Sequence, residues 1–240
     1  MNTTDGRRNC CYNPDEPEPD STIMKSHKRM TIILAVCIVA VALIASFVLV
    51  QVKDRTYFYS PPYTPTQKKA SDVVVIYYSR SGNTEAMARE VAREFKADII
   101  KIEAERYPLD YQGWRNAGND ADDKVTMVQI SPEIVDMRKY RLVFIGSPIW
   151  WYRPAPPLWT FVEKNDFREK NVILFNTFNS RFKSEEIEKF RGEIEKKGGR
   201  LIDHIFIKRG RVYYQKSGEQ LIGESQEIIK EKMKEWINAQ

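Results

Sequence analysis

The chain has 240 residues, enough for one ordinary domain plus an appendage but not for two full cores. Hydrophobic residues make up 42% and charged residues 30%, with 11 Gly and 12 Pro, which excludes collagen-like and low-complexity chains. The net charge is +5, and three Cys with two His exclude a disulfide framework, a tetrahedral zinc site and a His-rich metal centre, and weaken any Ser-His-Asp scheme. Any chemistry then belongs to a borrowed cofactor.

Residues 1–29 are rich in Asp, Glu, Pro and Asn and read as a flexible tail. No charge occurs between Arg29 and Lys53. At about 1.5 Å per residue, the apolar run 30–52 covers the roughly 30 Å hydrocarbon core of a bilayer, which predicts one transmembrane helix. The run is longer than the apolar core of a cleaved signal peptide, and a helix apolar on all faces needs enclosing neighbours if it is to sit in a soluble core. Lys25, Lys28 and Arg29 on one side nearly balance Lys53, Arg55, Lys68 and Lys69 on the other. The tight KSHKR cluster before the helix and the aromatic group Tyr57, Phe58, Tyr59 and Tyr63 after it favour a cytoplasmic N-terminus and an exocytoplasmic domain. Residues 53–71, with PPYTP, read as a stiff spacer lifting the domain from the bilayer.

From residue 72 to 240 short apolar runs alternate with amphipathic stretches, the pattern of a parallel sheet covered by helices. Strands are predicted at 73–78, 99–102, 142–145, 172–175 and 201–207, and helices at 84–95, 184–197 and 218–238. The polar stretch 103–127 reads as irregular.

In such a sheet, ligands sit beyond the carboxyl ends of the strands, so the loops there carry the functional information. The first, Ser79-Arg80-Ser81-Gly82-Asn83-Thr84, places hydroxyls and a glycine before a helix N-terminus, which suits a phosphate. It has neither GxxxxGK[ST] nor GxGxxG, so nucleotide triphosphates and pyrophosphate cofactors are disfavoured and a monophosphate remains. The alternative is that Ser81 or Asn83 merely caps a helix. The second loop, 146–157, carries Pro148, Ile149, Trp150, Trp151 and Tyr152, in which one Trp can cover a planar ring and the other can pack on neighbouring helices. The third, 176–182, offers Thr177, Phe178 and Asn179. A flat heterocycle with a phosphate tail would engage all three.

These motifs carry a resemblance. VVIYYSRSGNTEAMA, YPLDY, RLVFIGSPIWW and LFNTFNS together resemble the flavodoxin family, and in particular bacterial flavodoxin-like proteins with a GSPIWW loop, over about 70% of the chain. The resemblance implies a doubly wound five-stranded parallel sheet in the order 2-1-3-4-5, here preceded by one transmembrane helix. It implies FMN as cofactor, with Ser79, Arg80, Ser81, Gly82, Asn83 and Thr84 around the phosphate. Pro148, Ile149, Trp150 and Trp151 would line the ring, and Thr177, Phe178 and Asn179 its opposite wall. No catalytic acid or base and no metal are implied, because such a protein tunes the flavin by stacking, hydrogen bonding and charge.

Two departures stand out. The third loop carries Asn179, Ser180, Arg181 and Phe182 where relatives are Gly-rich, which puts tight FMN binding in question, and Arg181 would bring positive charge to the ring. The domain holds 29 basic and 27 acidic residues, unlike the acidic soluble members. Long-range steering of basic reductase faces is then weak, and a membrane tether can replace it by raising local concentration. The expected role is a membrane-anchored electron carrier serving membrane-associated redox partner proteins. The alternatives are an FMN-dependent NAD(P)H quinone or nitro reductase, and a flavin-free interaction scaffold. The segment Lys208-Arg209-Gly210-Arg211 reads as a solvated turn, not a nucleic-acid site.

Overall fold

A computed structural model describes residues 21–65 and 71–238. Two compact units divide the chain near residue 48. The first is most of helix α1, Ser21–Asp54, whose span 26–53 is long and apolar enough to cross a membrane. Residues 21–29, expected as part of a flexible tail, are helical. The last upstream proline is Pro19, and nothing from residue 21 to the apolar run breaks a helix, so the helix extends past the apolar segment. The rest of the expected tail lies outside the described residues.

The second unit is an α/β domain. In chain order it comprises β1 Val73–Tyr78, α2 Asn83–Phe95, β2 Asp98–Ile102, α3 Tyr111–Asp122, β3 Leu142–Trp150, β4 Arg153–Pro154, α4 Pro156–Lys164, β5 Asn171–Phe178, α5 Ser184–Lys196, β6 Arg200–Lys208, a 3-10 turn Val212–Tyr214 and α6 Gly218–Asn238. The sheet runs β2-β1-β3-β5-β6, all parallel. These five strands keep the expected order. The additional β4 pairs antiparallel with the end of β3.

The central strands are buried on both faces, which explains why their sequences are continuous apolar runs. Successive side chains of β1 point to opposite sides. Val74, Ile76 and Tyr78 join Leu158, Phe161 and Phe190 on one face, while Val75 and Tyr77 join Met87, Phe144 and Trp236 on the other. β1 hydrogen-bonds to β2 on one side and β3 on the other, so consecutive connections leave in opposite directions there. This is the topological switch point, where the carboxyl ends of the strands leave a crevice.

Three expectations about local structure change. The stretch 103–127 is not wholly irregular: Asp110 caps α3, its carboxylate accepting the Gly113 N–H at 2.7 Å. The loop 146–157 is shorter than expected, because β3 continues to Trp150 and α4 starts at Pro156, where prolines suit the first turn. Residues 57–63, expected as a spacer, are packed along the domain: Phe58 and Tyr63 sit against the second core face, and the Tyr63 hydroxyl donates to the Ala97 carbonyl at 3.1 Å. Residues 66–70 of that spacer lie outside the described residues.

Candidate functional site

A cavity of about 520 Å³ opens at the switch point, within the range of small-molecule sites. One end is the loop between β1 and α2. Gly82 has φ +84°, a left-handed conformation that side chains rarely adopt. The Gly82 N–H donates to the Ser79 hydroxyl at 3.1 Å, and the Asn83 side-chain amide donates to the Ser81 hydroxyl at 2.9 Å. α2 begins without a side-chain cap, so the expectation that Ser81 or Asn83 serves only as a cap is not met. The first-turn N–H groups of a helix lack intrahelical partners and favour an anion there. The Arg80 guanidinium donates to the Pro108 carbonyl at 2.9 and 3.1 Å, tying this loop to the segment before α3.

The other end is built around the β3–β4 turn. Trp151 and Tyr152 are its two central residues, with φ +43° and +71°. A turn with two left-handed residues normally takes Asn-Gly; two aromatics there store strain. Trp150 packs edge-on against Tyr78 and Tyr107, at centroid distances of 5.7 and 5.1 Å. Trp151 is 54% exposed and borders the cavity. The packing Trp, Trp150, therefore sits on Tyr78 of β1 and on Tyr107, not on neighbouring helices as expected, while Trp151 is exposed beside the cavity. Below the turn, the buried Arg153 pairs with Glu186 at 3.3 Å and lies over the Trp159 ring at 4.3 Å. Burial lowers the Arg153 pKa; burial pushes Glu186 up, but Lys189 and Arg153 together hold it below its ordinary value.

The third segment joins both ends. Pro148 and Thr177 are register partners in β3 and β5. The Thr177 and Thr84 hydroxyls share a hydrogen bond of 2.7 Å, linking the third segment to the first. Behind them Asn176 donates to the Ser147 carbonyl at 2.8 Å, and its Oδ1 lies 2.9 Å from His204 Nε2. With the Asn176 amide committed to Ser147, its oxygen accepts, so the imidazole carries its proton on Nε2. Burial pushes the His204 pKa down to about 4, against the pull of Asp203.

Ser79, Arg80, Ser81, Asn83, Thr84, Pro148, Ile149, Trp150, Trp151, Thr177, Phe178 and Asn179 all line this one cavity; Gly82 shapes it from behind. The sequence reading did not anticipate the wall formed by α3, with Trp114, Arg115, Gly118 and Asp122. Its available signal was the YPLDYQG cap. Nor did it place Arg209 here: the Arg209 N–H donates to the Phe178 carbonyl at 2.7 Å and the residue lines the cavity, whereas the whole basic turn was expected in solvent. Arg80, Arg115, Arg181 and Arg209 face the cavity against one carboxylate, Asp122, so the site favours an anion. The Arg181 guanidinium lies 5.2 Å from the Tyr152 ring centroid.

Comparison with known proteins agrees with this architecture. Among solved structures, a protein described as a flavoprotein from Bacteroides uniformis superposes with a TM-score of 0.55 at 21% identity, covering 68% of this chain and 99% of that one. Another so described, from Bacteroides eggerthii, gives a TM-score of 0.50 at 18% identity, covering 65% and 96%. At these identities the likeness shows the fold. No curated protein matches the chain by sequence. Residues 72–239 match the flavodoxin family, so the chain belongs to the flavodoxins.

Proposed function

We propose that the domain binds FMN and exchanges electrons with partner proteins, while α1 anchors it in a membrane. The observation that carries the reading is the switch-point cavity, with an uncapped helix and a left-handed Gly82 at one end and an exposed Trp151 on a strained turn at the other. The donor set fits the cofactor: hydroxyls, an amide and a helix N-terminus suit a phosphate monoester, and Trp151 offers a face for stacking. Bound FMN supplies one- and two-electron redox chemistry.

This chain's own residues bind and orient. Ser79, Ser81, Asn83 and Thr84 receive the phosphate, Trp151 covers the ring, and the opposite wall is Thr177, Phe178 and Asn179. Arg181 places positive charge on that side and favours added negative charge on the ring, so Arg181→Ala is expected to lower the midpoint potential; an unchanged potential removes this role. The exposed apolar surface of α1 supports anchoring, since a bilayer would cover it.

The test is an absorption spectrum of the full chain in detergent with FMN, followed by anaerobic reduction with dithionite and an assay with NAD(P)H. Bound flavin without NAD(P)H consumption supports the carrier. Consumption without a partner protein makes the domain a reductase. Protein that stays colourless in excess FMN leaves the interaction scaffold. The proposed topology is read with an impermeant maleimide, because Cys10 and Cys11 precede the helix and no Cys follows Cys37. A cytoplasmic N-terminus requires labelling of Cys10 and Cys11 only in inside-out membranes.

A further inference from the structure

Residues 57–63 precede the flavodoxin match yet lie along the domain, and at Phe58 they touch the loop assigned to the phosphate. We propose that this strap positions the phosphate loop, so that affinity for the FMN phosphate is set partly by Tyr57 and Phe58; the inference rests on the FMN reading above.

The contact is backbone against backbone. The Phe58 N–H donates to the Ser81 carbonyl at 2.9 Å. A Cβ added to Gly82 would lie 2.0 Å from the Phe58 carbonyl oxygen, so the strap occupies space that only a glycine leaves open. A peptide unit is planar, with its C=O and N–H pointing in opposite directions. Pinning the Ser81 carbonyl outward on the strap therefore aims the Gly82 N–H inward, where it meets the Ser79 hydroxyl at 3.1 Å on the cavity side. A reversed Ser81-Gly82 peptide would present a carbonyl oxygen to the phosphate and repel it.

The strap is itself anchored on both sides of this contact. The Phe58 ring fills the space over Gly218, where a Cβ would lie 1.8 Å from a ring carbon. The Tyr57 hydroxyl donates to Glu85 in the first turn of α2, and burial and this hydrogen bond hold the Tyr57 pKa well above the ordinary phenol range. Arg89 pairs with Glu85 and donates to the Ser60 carbonyl at 2.5 Å and hydroxyl at 3.0 Å. Coupling of this kind is reciprocal: if the docked strap favours phosphate, bound phosphate favours the docked strap.

The experiment titrates the full chain in detergent with FMN and with riboflavin, which lacks the phosphate, for the wild type, Tyr57→Phe and Phe58→Ala. Phe58→Ala is expected to weaken FMN by about 5- to 150-fold, the usual range for coupled sites, and Tyr57→Phe by a smaller factor, with riboflavin affinity unchanged in both. Amide exchange at Phe58 is expected to slow on adding FMN and not on adding riboflavin. Equal losses for the two flavins, or no loss for either, overturn the proposal while leaving FMN binding by the wild type intact. A wild type that binds no FMN removes the underlying reading and this inference with it. If Phe58→Ala loses its helical circular dichroism, Tyr57→Phe and the exchange measurement decide.

Discussion

The two ends of the cavity are made in different ways. At the end assigned to the phosphate the closest hydrogen bonds are local: Ser79 pairs with Gly82 and Ser81 with Asn83 within a few residues, one glycine conformation sets the turn, and the Phe58 strap and Arg80 add longer-range support. The aromatic end is tertiary, since the position of Trp151 depends on a strained turn held by Trp150, which packs on Tyr78 and Tyr107, and by Arg153, which packs on α4 and α5. A local site breaks when its own backbone is changed. A tertiary one responds differently at each of its supports.

The largest effect is expected at Gly82. A side chain there meets a left-handed backbone, costing about 1–2 kcal/mol, in addition to the collision with the Phe58 carbonyl. Gly82→Val should abolish FMN retention by the full chain and lower its melting temperature. Retention at wild-type affinity would show that the loop conformation does not govern the site.

The aromatic end makes a sharper contrast, because two adjacent tryptophans should respond oppositely. Trp150→Ala removes a ring packed on Tyr78 and Tyr107 and is expected to destabilise the domain by about 3 kcal/mol. Trp151→Gly relieves a positive φ at an exposed residue, so stability should hold or rise by about 1 kcal/mol. Its flavin affinity should fall by about 0.5–1.5 kcal/mol through lost stacking. Chemical denaturation and flavin fluorescence of the same two variants separate the roles; a Trp151→Gly that unfolds easily and binds normally would reverse the assignment.

The same contrast explains what the sequence made legible. The phosphate loop could be read directly, because its hydroxyls, its glycine and the helix it opens are contiguous in the chain. The strand positions could be read because β1, β3 and β5 are buried on both faces and so are written as apolar runs. The α3 wall could not: its buried positions are Gly113, Ala117, Asp120 and Ala121, which give a weak apolar stripe. Asp120 is buried because Arg106 and the Tyr107 hydroxyl satisfy it, a pairing no periodicity reveals. The docking of residues 57–63 was hidden for a similar reason. Its polar contacts are to backbone carbonyls and to Glu85 and Arg89, which look like ordinary surface charges in a helix sequence.

Behind the third segment, His204 tests how far that segment is held from solvent. Its pKa is about 4 in the folded domain against an ordinary value of 6.5, so the unfolded chain takes up the proton first as pH falls. Stability from this group is present above pH 6.5 and is lost progressively towards pH 4, by about 2 kcal/mol between pH 6.5 and 5. Urea denaturation across that range should show a shallower pH dependence for His204→Gln, which cannot be protonated and keeps a donor for Asn176. An identical slope would mean that the imidazole is not buried.

A cooperative effect is expected at a direct link between the first and third segments, the hydrogen bond between Thr84 and Thr177. Both residues are buried, and each hydroxyl left alone would be unsatisfied. Single changes to Val are expected to cost about 1–2 kcal/mol each, while the double change should cost less than their sum, because no orphaned hydroxyl remains. If the two segments act through this bond, the coupling measured by flavin affinity should exceed that measured by stability alone. Strict additivity in both would make the segments independent, joined by the sheet and by nothing more specific.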